Sequence, residues 1–204
     1  MKLRRSSTIL FVSAGLLLGI AFVWFEVRQS PSANVIPSTG GAPLQLAVLN
    51  TPHFLQTDPR WAKQQIGGSG ETLSRVGCTI CCVAMVLNSY GVSLTPHELN
   101  EALKLADGYT ASGLLKWDSV PRLTKGRVLP FYIGSPDVEK IDSALKNGHP
   151  VIAKVMLRNL IQHWVLIVGK EGTEYLVRDP LNPEITKLSA VGTNIYAIRI
   201  LRPA

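Results

Sequence analysis

The pattern of apolar and polar positions divides the chain into a helical half and a stranded half. Thr79 to Tyr90 is apolar nearly all round, which predicts a buried helix, and Gly91 offers a left-handed stop after it. Thr95-Pro96-His97-Glu98 has the form of a capping box with proline at the first helical position, so a second helix should run to about Leu105. A short third helix is expected from Ser112 to about Val120. Ser135-Pro136 should cap a helix from Asp137 to Asn147, with Gly148 as its stop. The period then changes. Val151 to Leu157, His163 to Val168 and Glu174 to Arg178 read as β-runs, and Ile195 to Leu201 alternates like a closing strand. Helices first and antiparallel strands later predict an α+β domain.

Upstream of that domain the pattern is different. Lys2, Arg4 and Arg5 precede an uncharged apolar stretch from Thr8 to Phe25. Its length meets the roughly 17–25 residues that a spanning helix needs. A signal peptide usually has an apolar core of ~7–15 residues and a small-residue cleavage site. Here the stretch ends in Phe22-Val23-Trp24-Phe25, and Trp24 suits a membrane interface. Residues 1–28 are therefore expected to be an uncleaved signal-anchor, a single transmembrane segment. The positive-inside bias puts the rest of the chain on the extracytoplasmic side; cleavage of the segment would secrete the domain instead. Residues 29–46, rich in Ser, Pro, Gly and Ala, read as a flexible linker, and 47–204 as the folded domain.

Composition narrows the function classes. With 46% hydrophobic and 17% charged residues, the 204-residue chain has the make-up of an ordered protein. The net charge is +7, of which the N-terminal segment holds +3 through Lys2, Arg4, Arg5 and Arg28 against Glu26. The remainder is spread thinly, and no basic cluster interleaved with aromatics points to nucleic acid. Three cysteines are an odd count, which in an exported protein suggests a free thiol. Clustered ligands at zinc-binding spacing are missing from the sequence, and no cofactor is implied.

The chemistry concentrates on Cys78, His163 and Asp179. Cys78 follows Gly77 at the expected start of the apolar helix, where free amides and the helix dipole favour a thiolate. Lys170-Glu171-Gly172 separates two β-runs and suits a hairpin loop. If the turn centres on Glu171, His163 and Asp179 are each eight residues away and face one another, with β-carbons about 4.5–5.5 Å apart. A thiol, an imidazole to take its proton and a carboxylate to orient the imidazole are the parts of a cysteine hydrolase. The oxyanion of the tetrahedral intermediate also needs donors, for which Gln56, Gln64, Gln65 and the Cys78 backbone N–H are candidates. Other readings exist for each part. Cys81 and Cys82, inside the apolar helix, read as packing. Cys78-Thr79-Ile80-Cys81 has redox C-x-x-C spacing, but a loop rather than a strand precedes it. His163 could be a core histidine, and Asp179 before Pro180 a turn residue. His53, His97 and His149 look structural or solvent-facing.

Two blocks carry a family likeness. Phe54-Leu55-Gln56-Thr57-Asp58-Pro59-Arg60-Trp61, Gly77-Cys78 and Ala84-Met85-Val86-Leu87-Asn88-Ser89-Tyr90-Gly91 form the first; His163-Trp164-Val165-Leu166-Ile167-Val168-Gly169 and Arg178-Asp179-Pro180 form the second. Together they resemble the bacteriocin-processing (double-glycine leader) peptidase-like family of the papain-like cysteine peptidases, over roughly residues 52 to 182. The resemblance implies a papain-like fold, with a helical lobe carrying the nucleophile packed on an antiparallel sheet carrying His and Asp. It implies Cys78 as nucleophile, His163 as base and acid, Asp179 as orienter, and Gln56, in the matching block, as the oxyanion glutamine. Two departures stand out. A long insertion separates Gln56 from Cys78. The best-understood members are domains of peptide-exporting transporters working on the cytoplasmic side, whereas this domain is expected to face outward, so cleavage after a Gly-Gly leader is not carried over. The expectation is a membrane-anchored cysteine peptidase acting on a peptide or protein substrate. The alternatives are a cell-wall peptide amidase or endopeptidase, and a non-catalytic binding module that kept the fold.

Overall fold

The computed structural model describes residues 35–204, and these form one compact unit. The signal-anchor expected over 1–28 lies outside the described residues; among those described, no helix is long and apolar enough to cross a membrane. The elements in chain order are β1 (Ile36–Pro37), β2 (Thr39–Leu46), α1 (Leu73–Val76), α2 (Cys78–Ser89), α3 (Pro96–Leu105), α4 (Ser119–Leu123), β3 (Val128–Gly134), α5 (Val138–Lys146), β4 (Val151–Leu157), β5 (Ile161–Arg178), β6 (Ile185–Lys187), α6 (Leu188–Val191), β7 (Asn194–Ile195) and β8 (Ala197–Pro203). Helices dominate the first half and antiparallel strands the second, as the patterning predicts for an α+β fold.

The main sheet has the order β2-β5-β4-β8-β3, with β6 added to β5, and every pairing in it is antiparallel. Its two faces are apolar because strand side chains alternate. Ile152 on β4 and Trp164, Leu166 and Val168 on β5 pack with α2, while Val151, Ala153 and Val155 on β4 and Val165 and Ile167 on β5 pack with α5. The sheet is thus a middle layer between the lobe containing α2 and a thinner layer made by α5 and the short α6, whose Leu188 joins the same apolar cluster. The all-round apolar character of α2 has its reason here, since nine of its side chains, Cys78 and Ile80 to Leu87, are buried. The capping box at Thr95 forms as expected: its hydroxyl accepts from Glu98 N and the Glu98 carboxylate accepts from Thr95 N.

β5 is the element that builds the site. Its residues 161–167 pair with β4, and 176–178 pair with β6. A straight strand advances about 3.3 Å per residue, so its two ends would stand about 50 Å apart. The side chains of His163 and Asp179 instead meet at 2.6 Å, which requires the ribbon to double back on itself. Gly172, at φ +62°, provides the left-handed residue for that reversal, next to the expected centre at Glu171.

Several expectations are corrected. The linker drawn over 29–46 does not extend through its second half: β1 pairs with β7 and β2 with β5, so the chain is in strands from Ile36 onward. Pro and Gly made this stretch look like loop, but β2 lies at a sheet edge, where a proline costs no ladder bond. The helix expected over 112–120 is mostly a loop. Tyr109 bridges Leu115, and the Thr110 hydroxyl accepts from Leu114 N, which gives that backbone a partner other than a helix; only α4, from Ser119, is helical. The cap of α5 is Asp137 rather than Ser135, its carboxylate accepting from Lys140 N. β3 was not anticipated, because Pro130 interrupts it; β3 is the other sheet edge, and its register shifts between Pro130 and Tyr132. The run expected over 195–201 divides into β7 and β8.

Candidate active site

Cys78 is the first residue of α2, and Gly77 caps the helix without a side chain. A Cβ at Gly77 would run into the Leu73 carbonyl oxygen, so the tight passage from α1 into α2 admits only glycine ahead of the cysteine. The first-turn amides of a helix have no intrahelical acceptor, so α2 presents free N–H groups at the level of the thiol. Cys78 is 8% exposed and sits at the wall of a cleft of about 340 Å³, which His163, Trp164 and Gln56 also line.

His163 Nε2 lies 2.6 Å from Asp179 Oδ1, and both residues are buried. A carboxylate oxygen can only accept, so Nε2 carries the hydrogen and Nδ1 is the ring nitrogen left for the thiol. Burial pulls the His163 pKa down. The hydrogen bonds with Asp179 and Cys78, and the negative charge that each can carry, outweigh that pull and raise it to about 9. Asp179 is itself held in place: Oδ1 also accepts from Leu181 N at 2.8 Å, and its carbonyl accepts from His53 Nε2 at 3.0 Å.

Gln56 is 3% exposed and reaches the same cleft despite the long segment before Cys78. Its Nε2 donates to Ser74 O at 2.7 Å, which fixes the amide orientation and leaves the second amide hydrogen free. Its backbone N donates to Pro180 O at 2.9 Å, so the strand of chain carrying Gln56 is bound to the residue after Asp179. Of the other glutamine candidates, Gln64 pairs with His97 and Gln65 bridges Thr72, and neither lines the cleft. The insertion between Gln56 and Cys78 forms a wall: Gly68 packs against the backbone of Thr110 and Ala111, and Gly113 against Ser69.

Cys81 and Cys82 are fully buried, all three cysteines are free, and desolvation pushes the Cys81 and Cys82 thiols up. Their expected packing role fits that burial, and a redox pair with Cys78 gains no support from it. His149 shares a hydrogen bond with the Tyr90 hydroxyl, away from the cleft. The bracing role of His53 was not legible in the sequence, because its partner is a backbone carbonyl 126 residues away. Among the described residues, no group of three or more His, Cys, Asp and Glu could hold a metal ion.

Residues 73–192, more than half of the chain, match the model of the peptidase C39 family. The chain belongs to that family. The peptidase C39 match begins just before Cys78 and extends past Asp179, so it takes in the helix start, the histidine and the aspartate described above. Among characterised relatives, the lactococcin-G-processing and transport ATP-binding protein LagD of Lactococcus lactis subsp. lactis is 30% identical over 112 residues, covering 54% of this chain. The chain spans only 15% of that relative's length. A C39-like peptidase from Bacillus anthracis superposes with a TM-score of 0.50 at 14% identity, covering 78% of this chain and 98% of that one. That likeness concerns the fold alone.

Proposed function

We propose that this C39 peptidase cleaves peptide bonds with Cys78 as nucleophile, His163 as base and acid, Asp179 as orienter and Gln56 as oxyanion donor. The observation that carries the reading is the 2.6 Å bond from His163 Nε2 to Asp179, which frees Nδ1 toward the cysteine at the start of α2. In the first step His163 takes the thiol proton and Cys78 Sγ bonds to the scissile carbonyl carbon. The negative oxygen that forms meets the remaining Gln56 amide hydrogen and the free amides of the α2 first turn. Collapse breaks the carbon–nitrogen bond, the imidazolium gives its proton to the leaving amine, and a thioester remains. Water, losing a proton to His163, then attacks the thioester; the acid leaves and the thiol is restored. We further propose that the N-terminal apolar segment anchors the enzyme with this domain outside the membrane. The charge pattern of Lys2, Arg4 and Arg5 ahead of Thr8 to Phe25 supports that reading.

The test is alkylation of Cys78 in the full chain at pH 6.5, read by mass spectrometry, beside a His163→Ala variant. An imidazolium next to the sulfur keeps a thiolate available, so loss of the ring should slow alkylation at least about tenfold. Equal rates in the two proteins would remove His163 from the mechanism. For topology, a membrane-impermeant protease added to intact cells should degrade the domain.

A further inference from the structure

A second groove adjoins the cleft on the His163 side. It encloses about 490 Å³ and shares Leu157, Ile161 and Leu181 with the cleft, so the two lie side by side, with Cys78 and His163 in the wall of one and Asp179 in the wall of the other. Its lining is mixed: Leu157, Ile161, Leu181, Ala190 and Val191 are apolar, and Arg158, Asp179, Asn182 and Thr186 are polar. Two charged residues border it. Asp179 is 5% exposed and spends its carboxylate on His163 and Leu181 N. Arg158 is exposed, and none of the ion pairs among the described residues uses it. The uncompensated charge of the groove is therefore a single guanidinium.

Arg158 also holds an uncommon backbone conformation. It and Asn159 have φ +50° and +58°, and together they turn β4 into β5. A left-handed conformation is unfavourable for most residues other than glycine. The local reason is the turn itself, since a tight hairpin turn of this kind needs positive φ at both of its central residues. The pairing of Leu157 with Ile161 and the bond from Leu160 N to Leu157 O keep the turn closed, which fixes the root of the Arg158 side chain at the groove's edge.

We propose that this groove binds the part of the substrate that follows the scissile bond, and that Arg158 selects an acidic side chain there. The inference rests on the catalytic reading above. In that reading His163 must hand its proton to the leaving amine, so the leaving half of the peptide lies on the His163 side of Cys78, where the groove begins. An extended peptide of mixed character fits a mixed lining, and an Asp or Glu side chain supplies the charge that no free carboxylate of the groove provides. The guanidinium can take it as a two-point hydrogen-bonded pair.

The test is a proteome-derived peptide library cut by the full chain, with the new N-termini read by mass spectrometry and a Cys78→Ala chain as blank. Asp and Glu should be enriched over Lys and Arg at one of the first few positions after the cut, by roughly two- to five-fold as for a solvent-exposed ion pair. In Arg158→Glu the bias should reverse, and in Arg158→Gln it should vanish. Cuts that depend on Cys78 but show no acidic bias, or a bias that Arg158→Glu leaves in place, would overturn the inference and leave the catalytic reading standing. A library with no Cys78-dependent cuts would remove the catalytic reading, and the inference with it.

Discussion

The imidazole of His163 is balanced between burial, which opposes its charge, and Asp179 and Cys78, which support it. Its pKa of about 9 exceeds the ordinary value of 6.5, so the imidazolium contributes stability that is complete below pH 6.5 and disappears as pH rises through about 9. Replacing Asp179 with Asn removes the charge and the acceptor while burial persists, so the NMR titration midpoint of the His163 ring should fall well below 9. The stability difference between the two proteins, from urea melts, should be largest below pH 6.5 and shrink between 6.5 and 9; a midpoint unmoved by Asp179→Asn would refute this balance. Gln56→Ala should lower kcat by about 10²–10³ with little change in KM, as loss of one oxyanion donor does. An equal rise in KM with kcat intact would make Gln56 a binding residue instead. The placement of Cys78 at a helix start and of His163 against Asp179 was legible in the sequence because a helix start and a hairpin register are local facts. Gln56 could be singled out from Gln64 and Gln65 only by resemblance, since its return to the cleft depends on long-range bonds to Ser74 and Pro180.

At the scale of elements, the reversal of β5 is secured by a polar group inside an apolar layer. Lys170, fully buried, donates to both oxygens of Asp142 on α5 at 2.8 Å, and the Tyr175 hydroxyl donates to the same carboxylate at 3.0 Å. The lysine lies just before the turn and the tyrosine just after it, so one carboxylate on α5 holds both arms of the ribbon that brings His163 to Asp179. Breaking a buried pair strands the partner charge, at a cost of about 3–5 kcal/mol. Lys170→Met should therefore lose about that much in urea denaturation, and adding Asp142→Leu should recover a good part of it. A double variant as unstable as the single would show that the pair stabilises the fold outright. This network was invisible to pattern reading, because a lysine at a predicted turn is ordinarily taken as solvated. The elements that patterning identified, α2, α3, α5 and β4, are those with an unbroken apolar period or a recognisable cap. Of those it missed, β1, β2 and β3 are edge strands broken by Pro or Gly, whose pairing is decided by the sheet beside them, and α1, β6 and α6 are only three or four residues long, too short to show a period.

For the whole molecule, the edge strand β2 decides where the domain begins. It closes the sheet beside β5: Leu46 pairs with Lys170, Gln45 with Glu171 and Leu44 with Gly172, so β2 lies along the very turn on which the His163–Asp179 register depends. Gly41, with φ +71°, lies where any side chain would strike Asp142 and Val138, and β2 thereby covers the buried Lys170–Asp142 pair as well. A domain boundary at residue 47 would thus cut through the folded unit and expose both the unpaired edge of β5 and a buried charge pair to water. A chain starting at Asn34 should melt cooperatively, whereas one starting at Ala47 should melt at a lower temperature. Amide exchange in the shorter chain should quicken first at Lys170 to Gly172. The loss should then reach activity through geometry, since a loosened turn lets Asp179 drift from His163; kcat should fall more than KM rises, and the His163 midpoint should move down from about 9. If the chain from Ala47 instead matched the longer one in melting, exchange and kcat, β2 would be an appended strand, and the reversal of β5 would hold by its own turn and the Asp142 network alone.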